Sequence, residues 1–85
     1  MNNKLETLKK KLIYRASYRG TKEMDMLLSK FVNKYIDIWN ESYLNELEEF
    51  LNYEDEVILN YYRDNIKRSG IEKNKISEIF KNFKI

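Results

Sequence analysis

The sequence has no cysteine, no histidine and no proline, and only two glycines among its 85 residues. Without cysteine there is no disulfide framework, no thiol nucleophile and no thiolate-held metal. Without histidine the commonest general base, the commonest zinc ligand and every serine–histidine triad are excluded together. Asp, Glu, Lys, Tyr and Ser remain for catalysis, and they form no recognisable constellation. Two glycines cannot build a G-x-G-x-x-G cradle, so tight independent binding of a dinucleotide is not expected. No stretch approaches the roughly 18 to 20 consecutive apolar residues of a membrane span. The start, Met1-Asn2-Asn3-Lys4, is not followed by an apolar signal region, and Glu6 comes early for a transit peptide. The expectation is a soluble, intracellular protein, a non-enzyme without bound metal.

What is present is charge and aromatic surface. The net charge of +2 hides three blocks. Residues 1–22 carry seven basic side chains against one acid, residues 23–64 three against eleven, and residues 65–85 six against two. Blocks of this kind are either solvated helix faces that attract one another within the fold or surfaces for a charged partner. Seven tyrosines, four phenylalanines and one tryptophan are many for this length. Most fall on or beside apolar stripes and read as core; Tyr14, Tyr18 and Tyr53 lie off the stripes or in loops and read as exposed contact residues.

Apolar periodicity near 3.6 recurs along the chain, and no stretch alternates with period two, so the fold class is all-α: a single small bundle of about five short helices over residues 1–85. Lys4 to Tyr18 places Leu5, Leu8, Leu12 and Ala16 on one stripe beside Lys9, Lys10, Lys11 and Arg15. Thr21 to Trp39 carries Met24, Leu27, Leu28, Phe31, Tyr35 and Ile38, the longest regular stripe and the expected central helix. Asn40 is an N-cap signal for Glu41 to Leu51, with Leu44, Leu47, Phe50 and Leu51 inward and Glu46, Glu48 and Glu49 outward. Asp55 is the expected cap of a fourth helix running to about Arg68, stopped by Ser69-Gly70. Residues 74–83 give a terminal helix through Ile76, Ile79, Phe80 and Phe83, fraying at Lys84 and Ile85.

Between the first two stripes lies Arg19-Gly20-Thr21-Lys22-Glu23-Met24-Asp25. Gly20 is a corner by residue type, because glycine alone reaches positive φ without steric penalty. Glu23 and Asp25 sit in the first turn of the helix that follows, where carboxylates are stabilised by about 0.3 to 1 kcal/mol each. Helix capping alone accounts for these residues, so physics by itself leaves a contact role open.

In context the segment says more. Lys11-Leu12-Ile13-Tyr14-Arg15, the Arg19 to Leu28 segment, Phe31 and the later pattern Leu51-x-x-x-Asp55-x-x-Ile58-Leu59-x-Tyr61 together resemble the succinate dehydrogenase flavinylation factors, bacterial assembly factors with mitochondrial relatives. The likeness covers about residues 11–64. It implies a small helical bundle in the bacterial cytoplasm, free as a monomer, that binds the flavoprotein subunit of succinate dehydrogenase, and often of fumarate reductase. It further implies promotion of covalent FAD attachment to a histidine of that subunit, with FAD carried by the partner.

The family's RGxxE motif falls on Arg19, Gly20 and Glu23, with Asp25 as supporting acid and Arg15 and Tyr18 as flanking contacts. Arg19 is expected to be the anchor, since its planar fork can pair bidentately with a carboxylate. Two departures stand out: Glu56 occupies a position where the family commonly has proline, and one residue is inserted near Ile36 to Trp39. The competing reading is an antitoxin-like regulator that binds nucleic acid or a membrane surface through the basic run from Lys9 to Arg19.

Overall fold

The computed structural model describes the backbone of residues 3–84 and the side chains of residues 4–84; expectations that fall on Met1, Asn2 and Ile85 lie outside the described residues. Among these residues the chain forms five α-helices: α1 (Asn3–Ser17), α2 (Lys22–Tyr35), α3 (Glu41–Phe50), α4 (Asp55–Asp64) and α5 (Lys75–Lys81). A 3₁₀ turn at Ile71–Lys73 precedes α5. The expected all-α bundle is what is observed.

Each helix buries the stripe that its sequence offers. On α1, Leu12 and Ala16 are fully buried while Leu5 and Leu8 pack at the edge of the core. α2 supplies Met24, Leu27, Leu28, Phe31 and Val32, and α3 supplies Leu44, Leu47 and Phe50. α1 packs most extensively on α2 and also touches α3; α5 bridges α3 and α4. One core therefore joins all five helices.

Phe31 is the hub of that core. Its ring meets Phe80 at 4.9 Å, Phe83 at 5.2 Å, Tyr35 at 5.4 Å and Trp39 at 5.7 Å, all edge to face. Edge-to-face pairs add about 0.5 to 1.5 kcal/mol beyond the area they bury. The contacts fix the terminal helix against α2, and the Tyr62 hydroxyl, donating to the Phe83 carbonyl at 2.7 Å, fixes it against α4.

Caps and stops set the boundaries, and here three expectations are corrected. α2 ends at Tyr35 rather than Trp39: the amides of Ile38 and Trp39 both donate to the Tyr35 carbonyl, turning the chain. Ile36 and Trp39 are thereby inward, and Ile38, expected on the stripe, is 73% exposed. α4 ends at Asp64 rather than near Arg68, because Asn65 adopts the left-handed conformation (φ 56°) that closes a helix. Gly70 instead opens the 3₁₀ turn.

The third correction concerns Asp55. Glu54 occupies the cap position of α4 and makes no side-chain cap; Asp55 is the first helical residue, and its carboxylate is directed elsewhere. Asn40 caps α3 as expected, accepting from the Tyr43 amide at 3.1 Å. Asn74 caps α5, accepting from the Ile76 amide at 2.7 Å. The helix itself ends at Lys81, and Phe83 beyond it is still buried.

Candidate functional site

The link between α1 and α2 is a tight corner at residues 18–21, and its geometry follows from three residue types. Gly20 sits at φ +126°, a conformation that side-chain-bearing residues rarely adopt. A Cβ placed there would meet nothing nearer than Asp55 Oδ2 at 3.9 Å, so the backbone conformation, not space, demands glycine. Thr21 caps α2 by accepting from the Met24 amide at 3.2 Å. Asp25, one turn into α2, accepts from the Arg19 amide and so closes the corner.

Arg19 is held by contacts within the chain. Its guanidinium is turned inward, with the side chain only 10% exposed. Nε donates to Asp55 Oδ1 at 2.8 Å, Nη1 to the Leu51 carbonyl at 2.6 Å and Nη2 to the Tyr53 carbonyl at 2.6 Å. The rigid fork thus satisfies carbonyls left over at the C-terminus of α3 while neutralising an acid at the N-terminus of α4. Arg15, one turn earlier on α1, reinforces the same junction through Asn52 Oδ1 at 2.6 Å and the Leu51 carbonyl at 3.3 Å. Both arginines are engaged within the chain rather than held out to solvent.

Glu23 points outward and pairs with Arg63 of α4; more than half of each side chain is exposed. Tyr18 and Tyr14 are mostly exposed, with ring centroids 4.6 Å apart. Tyr53, expected among them, is half-buried, its hydroxyl donating to the Ser69 carbonyl at 3.2 Å.

A groove of about 460 Å³ runs beside the corner between α2 and α4. Met26, Leu27, Leu59 and Tyr62 line it, and Lys22, Glu23 and Arg63 are its charged members. Asp55 and Arg63 were the residues that local sequence reading did not assign to the corner. Asp55 did stand inside the resemblance pattern, the one signal that could have found it.

Two of the remaining basic residues of α1 meet acids within the fold. Lys11 pairs with Glu48 at 2.7 Å and Lys9 with Asp37 at 3.5 Å. The charge blocks thus attract one another in the folded chain, and the basic run does not stand apart as a phosphate-tracking surface. Among the described residues no helix is long and apolar enough to cross a membrane. Burial lifts the Tyr61 phenol above its ordinary value near 10, and the carboxylates of Glu78 and Glu72 add to the rise.

Fold and corner define the class: a small helical bundle in which a charged turn, with glycine at a positive φ, lies beside an apolar groove. The chain belongs to the family described as the flavinator of succinate dehydrogenase, which matches residues 10–84. It is 38% identical over 70 residues to succinate dehydrogenase assembly factor 2, mitochondrial, of Saccharomyces cerevisiae, covering 82% of this chain and 43% of the relative. The corresponding protein of Meyerozyma guilliermondii is 40% identical over 50 residues, covering 59% of this chain and 37% of that one. The chain thus spans less than half the length of these curated relatives. No solved structure matches it.

Proposed function

We propose that the chain is an assembly factor that binds the flavoprotein subunit of succinate dehydrogenase and promotes its covalent FAD attachment by holding that subunit in a productive conformation. The observation that carries this reading is the family match, which spans the whole corner and the helices that support it. The composition agrees with a helper rather than an enzyme. A chain with neither histidine nor cysteine offers none of the usual nucleophiles for forming a flavin bond, so the bond-forming residue belongs to the partner. FAD is likewise the partner's cofactor, since two glycines build no dinucleotide cradle here.

The contact surface of this proposal is the corner: Gly20, Glu23 and Tyr18 at its face, with Asp25, Arg19 and Arg15 holding it. The groove lined by Met26 and Leu59 continues that surface. Alignment of FAD with its acceptor by such a clamp is an orientation effect, a class of effect that contributes up to about 7 to 11 kcal/mol in well-ordered reactions. The free chain is taken as a monomer, and its setting as the bacterial cytoplasm, where the flavoprotein would receive its flavin. Fumarate reductase, whose flavoprotein subunit the resemblance also implied, is a second client under the same proposal.

The test is co-expression of the flavoprotein subunit with the wild-type chain, Gly20→Arg or Glu23→Ala, followed by in-gel flavin fluorescence of the denatured subunit. The expected outcome is strong covalent fluorescence with wild type and loss of most of it with either folded variant. Undiminished fluorescence with both variants would overturn the reading.

A further inference from the structure

We propose that Asp55 is the positioning residue of the corner: its carboxylate, acting through Arg19, sets the conformation in which Gly20 and Glu23 meet the partner. The inference rests on the proposed function for its binding consequence, and on geometry alone for its structural one.

Four observations carry it. First, Asp55 is the opening residue of α4, where a carboxylate would ordinarily turn to the helix's own amides, yet its Oδ1 accepts from Arg19 Nε at 2.8 Å. Second, its other oxygen lies beneath the corner, 3.9 Å from where a side chain at Gly20 would begin. Third, Arg19 cannot turn away to meet a partner without giving up the Leu51 and Tyr53 carbonyls as well as Asp55. Fourth, the corner backbone is held from the opposite side by Asp25, which accepts from the Arg19 amide. One acid from α2 holds the main chain of residue 19 and one acid from α4 holds its side chain, so the orientation of the Arg19-Gly20 step is determined from both directions.

The pairing of the motif's other charge shows why Asp55 dominates. Glu23 also meets α4, through Arg63, but that pair stands in water and is screened. The Arg19 and Asp55 side chains are 10% and 27% exposed, so their interaction operates at lower effective dielectric and with fixed geometry. Arg63 can release Glu23 to a partner at little penalty; Asp55 cannot release Arg19 without remodelling the corner. Glu23 is accordingly a contact residue and Asp55 acts from behind it.

The experiment uses the full chain and has two arms. In the first, nitrogen-15 NMR of the free protein follows the Arg19 Nε–H and Gly20 amide resonances in wild type, Asp55→Asn, Asp55→Glu and the neighbouring control Glu54→Gln. In the second, calorimetric titration measures affinity for the purified flavoprotein subunit, well below the unfolding midpoint of each variant. Expected are displaced Arg19 and Gly20 resonances and at least tenfold weaker binding for Asp55→Asn. Partial recovery of both is expected for Asp55→Glu, and neither change for Glu54→Gln.

Unmoved resonances in Asp55→Asn would overturn the proposal, and so would moved resonances with unchanged affinity. If Asp55→Asn does not fold, Asp55→Glu is held to the same two readouts, with smaller displacements and weakening expected. If the wild-type chain does not bind the flavoprotein at all, the proposed function fails, and the NMR arm alone decides whether Asp55 sets the corner.

Discussion

At the scale of single residues, Arg19 is a charged side chain whose bonds are made inside the chain. An outward arginine fork and an inward one leave the same letter in the sequence; only the position of α4 distinguishes them. Two main-chain carbonyls and one carboxylate converge on its guanidinium, a set that lysine's single ammonium cannot reproduce in a plane. Removing the guanidinium leaves Asp55 and the Leu51 and Tyr53 carbonyls without this donor. Arg19→Ala is therefore expected to lower unfolding free energy by about 2 to 4 kcal/mol, and Arg19→Lys by a smaller but measurable amount. Urea titration followed by circular dichroism checks both. Arg19→Ala within about 0.5 kcal/mol of wild type would mean that the internal fork carries no stability.

Elements were legible in proportion to the strength of their local signals. Asn40 marks a helix start by the chemistry of a side-chain oxygen placed before an apolar stripe, and it caps in the folded chain, as does Thr21, expected only as the start of its stripe. The ends were harder. Asn65 stops α4 from a left-handed conformation, a less common choice than glycine, so Ser69-Gly70 drew the expected end about four positions too far. α2 closes at Tyr35 because the following turn lets Ile36 and Trp39 reach the core, a tertiary requirement that a periodic stripe ending in Ile38 conceals.

Asp55 misled for a related reason: its residue type is a good cap, and nothing local reveals that Arg19 is close by.

One cap does more than start a helix. Asn74 accepts from the Ile76 amide and also donates through Nδ2 to the Glu46 carbonyl of α3 at 3.0 Å, within a nearly buried setting. Asn74→Ala is expected to destabilise the protein by about 1.5 to 3 kcal/mol, more than an ordinary cap, because a part-buried carbonyl loses this donor as well. A thermal melt lowered by less than a surface Asn→Ala control, such as Asn33→Ala, would contradict that assignment.

For the whole molecule, the composition explains both what holds the fold and what it leaves exposed. A chain this short buries limited surface, and its stability rests on an aromatic core centred on Phe31 rather than on covalent links. The basic first segment folds onto acids of the middle segment, Lys9 on Asp37, Lys11 on Glu48 and Arg19 on Asp55. Part of the uneven charge is thereby paired within the chain.

The alkaline limit of the fold should come from Tyr61. Its folded-state phenol ionises above its ordinary value near 10, so the unfolded chain loses that proton first. The contribution is intact below about pH 10 and is lost as pH rises toward the folded value. Tyr61→Phe is expected to flatten the fall in stability above about pH 10, read by urea unfolding at successive pH values. An equally steep fall in the variant would place the alkaline transition elsewhere.

The central claim is that this chain supplies conformation and its partner supplies chemistry. Its most direct test is reconstitution from purified parts: apo-flavoprotein subunit and FAD, incubated with increasing amounts of the wild-type chain, with covalent flavin measured on the denatured subunit. The expected result is a covalent yield that rises with the chain and levels off near equimolar ratio, with the flavin bonded only to the flavoprotein and Glu23→Ala requiring far more protein for the same yield. A yield independent of the chain, or flavin bonded to the chain itself, would contradict the claim.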